Sequence, residues 1–207
     1  MALKIISLND LLQTQREEDI IKLLSSFETI KIKYNPGADD VEHFIHTKAI
    51  QFEKMDLSRT YLIMSSYQAK PYLAGYFSIS NRPLVIPKRQ FQKLSKSLQK
   101  RLMGFGHKTQ QATYEIKGFL LGQLGKNYNH IAQKAGNVSG EDLLELTYKK
   151  ILEAHRIVGG RILYLECEHY DKIKDFYIRN GFRQLEEYES ENGLCMMVKQ
   201  IQHLKED

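Results

Sequence analysis

Hydrophobic positions recur first at helical spacing. In "SLNDLLQTQREEDIIKLLSSF", Leu11, Leu12, Ile20, Ile21, Leu23 and Leu24 predict a helical N-terminal stretch. "NPGADDVEHFIHTKAIQF" predicts a second helix, opened by Pro-Gly and acid-rich in its first turn, as the helix dipole favours. The composition then changes: "TYLIMSSY" and "YLAGYFSIS", rich in aromatic and branched residues, predict strands joined by the turn-like "QAKP". "PKRQFQKLSKSLQKRLMGFG" carries one narrow apolar stripe, Phe91, Leu94, Leu98 and Leu102, and predicts a basic helical insert at about 87–108. "ATYEIKGFLLGQL" reads as a long strand, with Gly118 and Gly122 as bulge or close-approach positions. A loop, "GKNYNHIAQKAGNVSG", leads to the helix "SGEDLLELTYKKILEAHRIVGG", with a capping box from Ser139 to Asp142 and a stop at Gly159 and Gly160. The strand "RILYLECE" precedes "KIKDFYIRNGF", in which Ile173, Phe176 and Tyr177 share a helix face and Asn180-Gly181 ends it. "FRQLEEYES" and "LCMMVKQI" close the chain as a hairpin around "ENG".

Strand–helix–strand in the middle implies a parallel pair, and the flanking hairpins are antiparallel. The fold class is therefore α/β (α+β) with a mixed sheet. A length of 207 residues suits one domain spanning 1–207. No apolar run approaches the roughly 18 residues of a membrane helix, and the N-terminus turns charged too early for a secretory signal. Cys167 and Cys195 sit in apolar strand-like runs, which predicts free buried thiols in a reducing, cytoplasmic setting.

Charge changes the picture. The net charge of +5 hides a segment from Leu57 to Tyr114 with ten Lys and Arg and no Asp or Glu. Such polarity points to an anionic partner, or to a solvated basic face.

A strand running into a glycine-containing loop and a helix N-terminus is a generic anion site. "GQLGKN" lacks the spacing and the Ser or Thr of a phosphate-binding P-loop, and the dinucleotide fingerprint is absent. His43 and His46 lie three apart with no third ligand, so a surface pair is expected there and no metal.

With the strand–loop–helix–strand order, "FY-x-x-x-GF" at 176–182 makes residues 57 to 199 resemble the GNAT superfamily of acyl-CoA N-acyltransferases. The resemblance implies a mixed, mostly antiparallel sheet with a splayed parallel strand pair and helices on both faces. It implies acetyl-CoA as co-substrate and a primary amine as acceptor. It places Leu124, Gly125 and Lys126 on the splayed strand and Gly136, Asn137, Ser139 and Gly140 in the pyrophosphate turn. Tyr170 precedes the last helix, where many members carry Asn. Tyr177 would protonate the departing thiolate, with Glu115 and Glu166 as candidate general bases. Ala135 and Val138 depart from the family's Gln/Arg and middle glycine, and the loop is several residues longer than usual.

The layout is also similar to the acetyltransferase toxins of toxin–antitoxin modules, which implies tRNA contacts through the basic stretch 82–108 and an antitoxin partner. The expected activity is acetyl transfer to a small-molecule or protein amine. The alternatives are a toxin-type enzyme acting on aminoacyl-tRNA and a non-catalytic nucleic-acid-binding module. The apolar stripe of the insert also suggests a homodimer surface.

Overall fold

The computed structural model describes residues 3–30, 36–103, 107–108, 113–190 and 192–204. Asn35 at the opening of the second predicted helix, the glycine end of the insert at 104–106, Ala112 and Glu191 of the hairpin turn lie outside them. The chain begins with β1 (Lys4–Ser7), α1 (Leu8–Thr14), α2 (Glu17–Leu24), α3 (Pro36–His43), a π-helical turn over Phe44–Lys48 and α4 (Ala49–Lys54). β2 (Arg59–Tyr67), β3 (Lys70–Ser80), β4 (Leu84–Pro87), α5 (Lys88–Lys93), α6 (Lys96–Met103), β5 (His107–Lys108) and β6 (Thr113–Ile116) follow. The rest is β7 (Gly118–Lys126), α7 (His130–Ala135), α8 (Gly140–Val158), β8 (Ile162–Cys167), α9 (Asp171–Arg179), β9 (Arg183–Glu189) and β10 (Cys195–Gln200).

Seven strands form one sheet in the order β1-β2-β3-β7-β8-β10-β9, and a three-stranded sheet runs β4-β6-β5. The sheets are mostly antiparallel; β7 and β8 pair in parallel from Gly118↔Ile162 to Leu120↔Tyr164. The expected mixed sheet with one parallel pair is present. Chain contacts divide into two compact units: residues 1–80 with 122–147, and residues 81–121 with 148–207.

Several elements differ from the sequence reading. Lys4–Ser7 pairs antiparallel with β2, from Lys4↔Met64 to Ser7↔Tyr61, ahead of the helices. Four residues with only Ile5 and Ile6 apolar give periodicity nothing to measure, so this strand merges with the helical pattern that follows. The long strand breaks at Lys117, and its first half joins the small sheet. Gly118 fits this break, because a Cβ there would stand 2.4 Å from the Ile162 carbonyl oxygen. The predicted loop contains α7, capped by the Asn129 side chain accepting from the Ala132 N–H at 2.9 Å and ended by Gly136 at φ +57°.

In the first unit, Leu8, Ile20, Leu24, Phe27, Phe44, Leu62 and Tyr76 are buried in one cluster. Phe27 and Tyr76 meet edge to face at 5.0 Å, and the Tyr76 hydroxyl donates to the Val41 carbonyl at 2.5 Å. Gly125 sits against this cluster: an added Cβ would meet Val41 at 2.6 Å and Phe27 at 2.8 Å. Asn127 then fastens the end of β7. Its Nδ2 donates to the carbonyls of Leu73 (2.7 Å) and Ser26 (3.2 Å), and its Oδ1 accepts from the N–H groups of Glu28 (3.0 Å) and Asn129 (2.9 Å). Only 1% of Asn127 is exposed and its bond to the Leu73 carbonyl is buried, so truncation would remove the partner of a buried backbone group. Asn127→Ala is expected to lower unfolding free energy by about 3 kcal/mol. A urea titration with an unchanged midpoint would refute this account.

In the second unit, Leu84, Ile86, Tyr114, Ile116, Ile162, Tyr164, Leu185, Met196 and Val198 form the core. The insert docks there through its stripe: Phe91, Leu94 and Leu102 are buried in that core, and Leu98 packs partly against it. Phe91 stacks on Tyr114 at 4.4 Å. The stripe is thus covered within its own unit, which corrects the reading of it as a free homodimer surface. The insert is also two short helices, because Leu94 is extended at φ −60°, ψ 148° and interrupts the helical run. No helix among the described residues is long and apolar enough to cross a membrane.

Candidate active-site elements

The anion-binding candidates lie in the first unit, at the end of β7 and the start of α8. Ser139 and Asp142 make the predicted capping box: the Ser139 N–H donates to Asp142 Oδ2 at 2.7 Å, and the Asp142 N–H donates to Ser139 Oγ at 3.0 Å. Two donors of the turn are therefore engaged within the chain. The amides of Val138, Gly140 and Glu141 have no partner among the described residues, as expected just before and within the first turn of a helix. Asn137 is held by its side chain, which accepts from the Tyr72 hydroxyl at 2.7 Å and lies 3.4 Å from Ser65 Oγ. This anchor fixes the turn on β2 and β3, which sequence spacing alone does not reveal.

Gly125 has a packing role at the Phe27–Tyr76 cluster, while Leu124 is half-buried beside it. The Lys126 ammonium stands 5.3 Å from the centre of the Tyr128 ring. Lys126 and Gly136 line a cavity of about 600 Å³ together with Glu28, Thr29, Tyr128 and Gln133. The amides at the start of α8 suit a phosphate-bearing ligand, although the capping box leaves fewer donors than an all-glycine turn.

The acid–base candidates lie in the second unit. Tyr177 is buried on α9, with ring contacts to Phe176 (5.1 Å) and Phe182 (5.4 Å). Burial is the main cause that raises its pKa well above the ordinary tyrosine value, so the hydroxyl holds its proton at neutral pH. The hydroxyl has no hydrogen-bond partner among the described residues.

Glu166 is the exposed residue of the otherwise buried strand β8, opposite Met196. Glu115 is half-buried in the small sheet, between Val85 and His107. The structure thus puts the two carboxylates on different sheets. Tyr170 is exposed and opens α9 as its N-terminal cap residue, without a capping side-chain hydrogen bond.

The acid-free segment is not uniformly available. Arg59 is paired with Glu53 at 3.0 Å and Asp56 at 2.5 Å. In the insert, Lys88, Arg89, Lys93, Lys96 and Lys100 are exposed and form no ion pair among the described residues. The side chain of Arg101 lies outside the described residues. His46 binds the Phe27 carbonyl at 2.9 Å and His43 lies 3.2 Å from Thr47 Oγ1. No group of three His, Cys, Asp or Glu among the described residues could hold a metal.

No family model matches the chain, and no curated protein matches it. Solved structures do. A tyrosine-to-phenylalanine variant of KacT is 19% identical, with a TM-score of 0.63 over 99% of this chain and 98% of that one. AtaT complexed with acetyl-methionyl-tRNAfMet is 18% identical, with a TM-score of 0.62 over 97% of this chain and 96% of that one. AtaTR bound with acetyl-CoA gives a TM-score of 0.57 at 16% identity, over 98% of this chain and 95% of that one. The chain therefore shares the fold of these KacT and AtaT structures along nearly its whole length.

Proposed function

We propose that this chain is an acetyl-CoA-dependent N-acetyltransferase whose acceptor is the free α-amine of an aminoacyl-tRNA. The observation that carries the reading is the fold likeness over nearly the whole of both chains to AtaT, a protein captured with an acetylated aminoacyl-tRNA. The insert supports it. Its five described cations point to solvent while its apolar stripe is buried, as a rigid phosphate-contacting surface requires.

Acetyl-CoA supplies the activated acetyl group. The chain's own residues supply binding and proton handling. The amides of Val138, Gly140 and Glu141 would bind phosphate oxygens at the positive end of α8, with Lys126 adding a charge. Asn137 holds that turn in place through Tyr72. Tyr177, kept protonated by burial, would give its proton to the departing sulfur. We assign the general base to Glu166, since β8 is the parallel neighbour of β7, whereas Glu115 belongs to the separate small sheet. An antitoxin partner is part of the proposal, because AtaT is found bound to the C-terminus of the antitoxin AtaR.

The test is transfer of labelled acetyl from acetyl-CoA to a panel of charged tRNAs, with free amino acids and peptide amines as comparison. Product that co-migrates with tRNA supports the reading. Labelling of free amines alone would move the acceptor to the small-molecule or protein class. Calorimetry that detects no acetyl-CoA binding at millimolar concentration would remove the enzyme altogether and leave a nucleic-acid-binding module.

Gly140→Asp examines the turn separately. It adds a carboxylate where phosphate oxygens would sit, and negative charge at a helix start does not harm the helix. Affinity for acetyl-CoA should fall about tenfold or more with the melting temperature little changed. Equal affinity in the variant would show that the turn is not the pyrophosphate site.

A further inference from the structure

The acetyl-transfer chemistry leaves Cys167, Cys195 and His169 unused. The two cysteines stand directly opposite each other across the antiparallel pair β8–β10, at Cys195↔Cys167. Residues so paired point to the same face, with Cβ atoms about 4.5–5.5 Å apart. A disulfide asks for about 3.5–4.5 Å between Cβ atoms, so closure needs only a small local adjustment. Neither cysteine is in a disulfide, and both are buried. The Cys195 Sγ lies 3.2 Å from His169 Nδ1 and accepts a hydrogen bond from Gln184 Nε2 at 3.7 Å. A thiol beside an imidazole and an amide donor is set up to become a thiolate.

We propose that Cys195, Cys167 and His169 form a peroxide-reactive dithiol site that closes to an intramolecular disulfide. His169 Nδ1 takes the Cys195 proton. The thiolate attacks one oxygen of a small hydroperoxide such as hydrogen peroxide, forming an S–O bond as the O–O bond breaks. The departing hydroxide receives the proton held by His169 and leaves as water. Cys167 then attacks the sulfenic sulfur, the S–S bond forms, and the displaced hydroxyl leaves with the Cys167 proton as a second water. Two thiols are oxidised by two electrons and the peroxide is reduced.

The division of labour follows from the surroundings. Burial and the neighbouring Cys195 push the Cys167 thiol up to about 12, so it remains a thiol and acts second. Cys195 is 1% exposed and Cys167 9%, which shields the pair from bulky disulfides. Cys167 is also close enough to Tyr177 to act on it electrostatically, so closure would alter the surroundings of the proposed acid.

The wild-type chain itself carries the test, independent of acetyl transfer. After exposure to hydrogen peroxide, intact mass should fall by two hydrogens, both thiols should resist alkylation in denaturant, and dithiothreitol should restore both. Cys167→Ser should instead trap a dimedone-reactive sulfenic acid at Cys195. His169→Ala, a change at an exposed residue, should slow oxidation about tenfold or more. Retention of both thiols, oxidation to sulfinate, or a disulfide only between chains would overturn the proposal. An unchanged rate in His169→Ala would remove the histidine from it.

Discussion

Tyr177→Phe is expected to cut acetyl transfer about 10²–10⁴-fold while leaving acetyl-CoA affinity and the melting temperature nearly unchanged. The hydroxyl makes no hydrogen bond among the described residues, so removing it breaks no structural contact. The ring contacts with Phe176 and Phe182 persist in phenylalanine. Stability should therefore move by no more than about 0.5 kcal/mol, as for changes that touch no packing or buried polar pair. What disappears is a proton donor kept neutral by burial, and a leaving thiolate loses its acid. The prediction is read from turnover and affinity together. Equal fall of kcat and kcat/KM marks an interaction made only in the transition state. Unchanged turnover would return Tyr177 to the hydrophobic core, and raised KM alone would make it a binding residue.

Tyr177 was legible in the sequence because two local rules coincide there. The i, i+3, i+4 spacing of Ile173, Phe176 and Tyr177 set the helix face, and Asn180-Gly181 set its end, with Gly181 at φ +82°. The parallel pair of β7 and β8 was legible for a similar reason: a strong helix between two strands leaves few alternatives. The stripe of the insert was legible as an apolar face, and it packs on the core of its own unit rather than on a second copy.

Other features were hidden because they depend on partners far along the chain. Asn127 looks like one polar loop residue among several, yet its side chain joins Ser26, Glu28 and Leu73. Asn137 reads as a turn residue until Tyr72 appears at 2.7 Å. The break at Lys117 was legible only as Gly118, a bulge or close-approach position; its partner in that approach, Ile162, was not. The carboxylates show the same limit: Glu115 and Glu166 were equivalent candidates in the sequence, and sheet membership separates them.

The second large effect is expected from the insert. Lys93→Gln, Lys96→Gln and Lys100→Gln combined should weaken tRNA binding strongly at low salt and flatten its salt dependence. Each lysine that neutralises a phosphate releases condensed counterions, and this contributes roughly 0.7–0.9 to the slope of log affinity against log salt. Losing all three should therefore reduce that slope by about 2. The three side chains are exposed and form no ion pair among the described residues, so their removal leaves no orphaned carboxylate and should not unfold the unit. The anchoring of the helices rests on Phe91, Leu94 and Leu102, which the substitutions leave alone. Acetyl-CoA affinity should be unchanged, since the free amides and Lys126 belong to the other unit. Transfer to charged tRNA should then fall through KM at physiological salt and recover at low ionic strength. A triple variant with the wild-type slope and KM would mean that these lysines are a solvated face and that the acceptor reaches the enzyme by another surface. Wild-type binding indifferent to salt would go further and exclude a phosphate-contacting role for the insert.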